Sequence, residues 1–263
     1  MAYFPQLGSG AAGQFPVSRT VKKRTIRTES AEGRECKTVD AGWQEVEWVM
    51  TLGGLAEQER TALERFFEEV EGRLGSFTFL DPMGNLLSWS EELWREAWTR
   101  GPHIQLNPEV GDPFGTRRAV GVWNNSAVPE RLEQALGVPG WFQYCLSLWM
   151  RSGEPTEATL FGRAGGGAQA LTVKVERTWR RVAWPVRLEC EDELVRFGVE
   201  LGPGVSVELF GMQVEAQAGA SKYKRTGMRG GIYPEARFGQ DVLAVRAEGA
   251  GVYSCGVRVV ARL

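Results

Sequence analysis

Two periods alternate along the first eighty residues. In WQEVEWVMTL, Val46, Trp48, Met50 and Leu52 fall on one face and Glu45 and Glu47 on the other, the period-two pattern of a half-buried strand. In LAEQERTALERFFEEVEG the period lengthens. Leu55, Leu63, Phe66, Phe67 and Val70 fit helical spacing, the remaining positions are mostly Glu, Gln and Arg, and Gly72 stands where a C-terminal cap belongs. SFTFLDPMG then predicts a short strand closed by an Asp-Pro-x-Gly turn. Upstream, TVKKRTIRTES and CKTVD flank AEGRE, which predicts a β-hairpin over 20–40 turning at Gly33. Residues 1–20, with Pro5, Pro16 and a glycine–alanine run at 10–13, predict an irregular, flexible arm.

From about 103 to 216 the pattern is one of successive strands without helices. YCLSLWMR places Tyr144, Leu146, Leu148 and Met150 on one face and Cys145, Ser147, Trp149 and Arg151 on the other. RVAWPVRLE alternates through Val182, Trp184, Val186 and Leu188, with Pro185 marking an edge or a bulge. Such a run argues for an antiparallel β-sandwich or jelly roll. Before it, NLLSWSEELWREAWTR (85–100) offers Ser88 and Glu91 as a capping box and Leu86, Leu87, Leu93, Trp94, Ala97 and Trp98 as one helical face. Near the end, YKRTGMRGGIYPEARF reads as a connection rather than core, and VLAVRAE with YSCGVRVVARL as a closing hairpin. The fold class expected is mainly β: a sandwich- or barrel-like N-terminal unit with one helix, and a jelly roll.

Composition narrows the function classes. The 263 residues carry 31 basic and 33 acidic side chains, a formal charge of -2, which recommends neither nucleic acid nor an anionic membrane as partner. No apolar run approaches the ~20 residues that span a bilayer, and MAYFPQLGSG lacks the features of a secretory signal, so folding in a cytoplasm is expected. Cys36, Cys145, Cys190 and Cys255 are widely spaced and predict buried free thiols.

Motifs with mechanical content are scarce. GSGAAG at 8–13 matches GxGxxG, but no strand precedes it and no helix follows. His103, the single histidine, has no triad or zinc spacing around it. Glu68, Glu69, Glu191, Asp192 and Glu193 read as solvated charge rather than a glycosidase pair. No catalytic, cofactor-binding or metal-binding residues are therefore expected, and the chain is not expected to be an enzyme. The basic run Arg19, Lys22, Lys23, Arg24 and Arg27 on the first hairpin is a candidate oligomer contact.

Two resemblances follow. FPQLGSGAAGQFPVSRTVKKRTIRT, the block from EWVMTL to FTFLDP, and GGIYPEARFGQDVLAV together resemble the distal tail proteins of long-tailed phages. NLLSWSEELWREAW, YCLSLWMRSG, TWRRVAW and LFGMQVEAQAGASKY resemble, in order, the strands of phage-associated carbohydrate-binding jelly rolls. The first resemblance implies a ring, typically hexameric, at the end of the tail tube, with tube and hub proteins as partners and the virion tail tip as its location. The second implies a module at 85–227 inserted into a ring-forming domain made of 1–84 and 228–263, since insertion at a turn costs little when the insert's ends are close. Trp149 and Arg151, on the outward face of YCLSLWMR, are the candidate sugar contacts; Trp149 packing under a loop is the competing reading. Glycan binding as the main role is the alternative function, and a surface-polysaccharide depolymerase a weaker one. No specific nucleic acid, membrane insertion or cofactor is expected.

Overall fold

The two periods of the first eighty residues fold as their spacing requires. In the computed structural model, which describes residues 2–263, β1 (Val17–Glu29) turns into β2 (Glu35–Leu55), α1 spans Glu57–Glu69 and β3 spans Phe77–Leu80. β2 is one strand of 21 residues, so CKTVD and WQEVEWVMTL, separate in the sequence reading, are a single element. Ten strands follow: β4 (Trp98–Arg100), β5 (Ile104–Val110), β6 (Ala119–Asn124), β7 (Glu130–Leu136), β8 (Tyr144–Arg151), β9 (Thr156–Arg163), β10 (Ala168–Val175), β11 (Arg180–Val186), β12 (Val195–Leu201) and β13 (Ser206–Glu215). β14 (Ile232–Phe238), β15 (Val245–Gly249) and β16 (Val252–Arg262) complete the chain.

The chain divides into two units. Unit 1 comprises the described residues up to Gly8, Ala12–Phe79 and Tyr233–Leu263; unit 2 comprises Ser9–Ala11 and Leu80–Ile232. Unit 1 is a six-stranded sheet in the order β1-β2-β16-β14-β3, with β15 on β16. β16 runs antiparallel to β2 from Tyr253 opposite Leu55 to Arg262 opposite Glu45. Alternation on β2 sends Val46, Trp48, Met50 and Leu52 inward to meet Leu63, Phe66 and Val70 of the α1 region. Each such buried side chain stabilises by ~1.5–3 kcal/mol. The helix begins without a capping side chain on Ala56. Instead Glu59 reaches back to accept from Ala56 N at 2.8 Å, and Glu57 and Glu59 face the positive end of the helix dipole.

Two expectations for unit 1 are corrected. The first residues are not a loose arm: Phe4 N donates to Thr78 O at 3.0 Å and Thr78 N to Ala2 O at 2.8 Å. Phe4 then enters the core, edge-on to Phe79 at 5.4 Å and Phe66 at 5.9 Å. IYPEARF is not a connection but β14, which buries Tyr233, Ala236 and Phe238. Pro234 and Glu235 interrupt its alternation, which hides the strand in the sequence.

Unit 2 is an antiparallel jelly-roll sandwich of two five-stranded sheets, β10-β9-β12-β7-β4 and β11-β8-β13-β6-β5. Tyr144, Leu146, Leu148 and Met150 of β8 point into the sandwich with Phe197, Val199 and Leu201 of β12, and the rings of Tyr144 and Phe197 lie 5.3 Å apart. Pro185 sits on β11, an edge strand, the place in a sheet that tolerates a residue without a backbone N–H.

Residues 85–97 form turns, not the expected helix. The side chains a helical cap would use are engaged across the sandwich. Ser88 N donates to Gln134 Oε1 at 2.8 Å, and the Glu91 carboxylate lies 3.0 Å from both Arg118 and Arg225. Asn85 accepts from Val214 N at 3.0 Å and donates to Met212 O at 2.9 Å. Entry and exit of the unit are also tied together: Asp81 N donates to Gly231 O at 2.8 Å and Gly231 N to Asn85 O at 2.7 Å. A Cβ at Gly230 would come within 2.1 Å of Leu86 O, so this close approach requires glycine.

Candidate functional site

The face of β8 that carries Trp149 and Arg151 is built by register. Trp149 lies beside Arg181 of β11 and Phe210 of β13, and Arg151 lies beside Glu208 of β13. The Arg181 guanidinium sits over the Trp149 ring at 4.5 Å from its centroid. Phe114, Phe210 and Tyr223 surround the ring at 5.5, 5.8 and 5.9 Å. Aromatic and cation–π contacts of this kind contribute ~0.5–1.5 kcal/mol each. Trp149 is therefore a half-buried ring packed among these side chains. Arg151 is paired with Glu208 and lies over Trp179 at 4.9 Å.

The cover comes from the chain after β13. Gly211, at φ +65, introduces a bulge that turns the strand, and a Cβ there would press on Trp149 at 3.1 Å. The Glu215 carboxylate, buried, accepts from Lys224 Nζ at 2.8 Å and Ser221 N at 2.9 Å, and Gln213 Oε1 accepts from Lys224 N at 2.7 Å. These bonds fasten residues 217–226 over the sheet and place Tyr223 against Trp149. Burial pushes the Tyr223 phenol above its ordinary range; the hydrogen bond with Ser90, 2.8 Å long, opposes this and the Glu91 charge adds to it. What is exposed on this side is Phe114, at 61%, and Trp123, at 40%. Of these residues, Trp179 and Arg181 stand in TWRRVAW and could have been found by strand pairing; Phe114 and Tyr223 lie in loops with no periodic signal.

The remaining candidates separate. Arg19 donates to the Tyr233 hydroxyl at 3.1 Å, Lys22 reaches Glu45 and Glu47 at 3.1 and 2.9 Å, Arg24 Nε reaches Asp40 at 2.6 Å and Arg27 reaches Glu35 at 3.6 Å. The hydrogen bonds to Glu47 and Glu45 hold the Lys22 ammonium above its ordinary range. Lys23, exposed, lies opposite Gln44. Thus the basic run is mostly answered by acids of its own hairpin partner, in surface pairs worth ~0–1 kcal/mol.

His103 Nδ1 lies 2.8 Å from Glu130 Oε1. GSGAAG lies in loop and bend conformations, with Gly8 N donating to Glu59 Oε1 at 2.8 Å. Glu68, Glu69, Glu191 and Glu193 are exposed, and Asp192 accepts from Gly166 N at 2.6 Å, fixing a loop. Only two of the four thiols are buried as expected. Burial pushes Cys145 up to about 11 and raises Cys255 as well, whereas Cys36 is exposed and Cys190 half-buried, because each lies near a turn rather than on a core-facing strand position. Among the described residues no group of three or more His, Cys, Asp or Glu side chains is placed to hold a metal ion, and no helix is long and apolar enough to cross a membrane.

No protein-family model matches the chain, and no curated protein matches it. Solved structures do match. The carbohydrate-binding module TmCBM61, in complex with β-1,4-galactotriose, is 15% identical over 49% of this chain and 97% of its own, with a TM-score of 0.39. The CBM22-1 xylan-binding domain of Xyn10C from Paenibacillus barcinonensis is 16% identical over 52% of this chain and 96% of its own, with a TM-score of 0.40. The enzymatically active domain of tailspike protein 4 of bacteriophage CBA120 is 11% identical over 50% of this chain but only 21% of its own, with a TM-score of 0.39.

Proposed function

We propose that the protein is a non-catalytic, carbohydrate-binding component of a phage or phage-like tail tip, in which unit 2 engages host-surface glycan and unit 1 seats it in the tail. The observation that carries this reading is the arrangement of the chain: a jelly roll with its own core lies in sequence between β3 and β14 of a unit that has a core of its own. Such a module can change its surface without disturbing its carrier. Trp94, Phe114, Trp123 and Trp141 are exposed aromatic side chains on unit 2, and arginines and glutamates line the cavities beside Trp94 and Trp141. They supply the flat apolar surfaces and polar edges that sugar rings require. Binding of the full chain to an array of bacterial surface polysaccharides and oligosaccharides tests the reading; retention without release of fragments is expected, and absence of any binding overturns it.

A ring-forming structural role for unit 1 is the second reading, supported by its edge. β1 is the outermost strand of the sheet, and Val21, Ile26 and Val39 of the hairpin are 44%, 45% and 70% exposed. An exposed edge with apolar side chains is a natural pairing surface. Copies joined there, with Arg19, Lys22, Lys23, Arg24 and Arg27 close by, would form heterologous contacts that close into a ring, a hexamer by the family resemblance, stacked on tube and hub proteins. Electron microscopy of the purified chain should show six-fold rings with peripheral lobes. Monomers alone at high concentration, with and without tube protein, would exclude it.

A further inference from the structure

Trp94, in the stretch that fails to become a helix, is 46% exposed. Three other tryptophans of unit 2 carry a guanidinium over the ring: Trp89 under Arg95, Trp149 under Arg181, Trp179 under Arg151. Trp94 has no such ring or guanidinium partner among the described residues. It stands on the rim of a cavity of about 220 Å³ whose walls include Glu91, Glu92, Glu109, Arg117 and Arg225. We propose that this cavity binds one neutral pyranose ring of a host-surface oligosaccharide, stacked on the Trp94 indole. The inference rests on the carbohydrate-binding reading and names its site.

Glu91 gives the cavity a built polar floor. The residue is only 5% exposed. Its Oε1 accepts from Arg118 Nη1 at 3.0 Å. Its Oε2 lies 3.0 Å from Arg225 Nε, so the carboxylate is held between two guanidinium groups. A sugar hydroxyl entering the cavity meets the Glu92 carboxylate and the Arg225 guanidinium on its walls. Arg118 is held from behind, donating through Nε to Thr116 Oγ1 at 2.9 Å with its guanidinium over Phe210 at 5.3 Å. Asp112, which accepts from Phe114 N at 2.8 Å and from the Arg118 and Thr116 amides at 3.2 Å, fixes that loop. On the opposite wall Arg117 Nε donates to Glu109 O at 3.0 Å, and Glu109 holds a left-handed backbone at φ +63. The lining is therefore set before any ligand arrives, which lowers the ordering cost of binding.

Charge and size select the ligand. Three arginines and three glutamates line the space, so neither an anion nor a cation gains from the net field. Hydroxyl groups both donate and accept, and so can meet guanidinium donors and carboxylate acceptors alike while the ring's apolar face lies on the indole. The volume lies below the range of pockets that enclose drug-sized ligands and suits a single ring.

The test uses the full chain with Trp94→Ala and Trp94→Phe, on an array and by titration calorimetry. The probes are neutral β-1,4-linked gluco-, xylo- and galacto-oligosaccharides, neutral bacterial surface polysaccharides, and polygalacturonate as an acidic control. Thermal melting confirms that the variants fold. Trp94→Ala should weaken binding of a neutral glycan more than about tenfold, with Trp94→Phe restoring most of it. Wild-type binding that Trp94→Ala leaves unchanged overturns this site while the carbohydrate-binding reading stands. Preference for the acidic probe overturns the neutral ligand. No glycan bound by the wild type overturns both.

Discussion

Unit 1 and unit 2 both alternate apolar and polar residues along their longest strands, yet the outward side chains meet opposite fates. On β2 of unit 1 the outward Glu45 and Glu47 meet side chains of neighbouring strands, Lys22 on β1 and Arg258 on β16, and stay half-exposed. On β8 of unit 2 the outward Cys145 and Ser147 are as fully buried as the inward Leu146 and Leu148: Ser147 Oγ accepts from Arg181 Nη2 at 3.0 Å, and Glu215, opposite Cys145, is covered by the segment that Lys224 and Ser221 fasten to it. Alternation specifies which side chains share a face. It does not specify what that face meets, and for β8 the answer lies seventy residues downstream, in Lys224 and Ser221.

The comparison can be broken at four points, from the largest expected effect to the smallest. Trp48→Ala, at a fully buried site of unit 1, should cost ~3–5 kcal/mol in urea unfolding, while the near-ultraviolet signal of a cooperatively folded unit 2 persists to higher denaturant. Simultaneous loss of both signals would show that the units unfold as one. Trp149→Ala should destabilise unit 2 by ~2–4 kcal/mol, because its ring packs against three others; an unchanged melting temperature would mean that the ring is free after all. Gly211→Ala, at φ +65 with Trp149 3.1 Å from the added carbon, should cost ~1–2 kcal/mol by the same measurement. Lys22→Ala should change stability by less than ~1 kcal/mol, and less still in high salt, since both its partners lie near the surface.

The class of fold was legible because period is local. Leu63, Phe66 and Val70 announce α1, and Val46 to Leu52 announce β2, from spacing alone. Both faces of β8 could be assigned in the same way. What escaped depends on partners distant in sequence. Ser88 and Glu91 have the spacing of a capping box, yet Gln134, Arg118 and Arg225 claim them. Phe4 lies among prolines and glycines and still enters the core, because the β3 backbone offers it a hydrogen-bonding edge. In β14 the Pro234–Glu235 step breaks the period that would have revealed Tyr233 and Phe238. Around the candidate residues the reading was partial: the face of β8 that Trp149 and Arg151 share was readable from its period, the loop over it was not, and Trp94 was assigned to a helical face that does not form.

The clasp formed by Asp81, Asn85 and Gly231 has a consequence for how this chain can vary over time. Because the backbone enters and leaves the jelly roll at nearly the same point, recombination could exchange the whole cassette for another head, or for a short turn, and leave the strands on either side in register. One core could in this way carry a succession of different inserts.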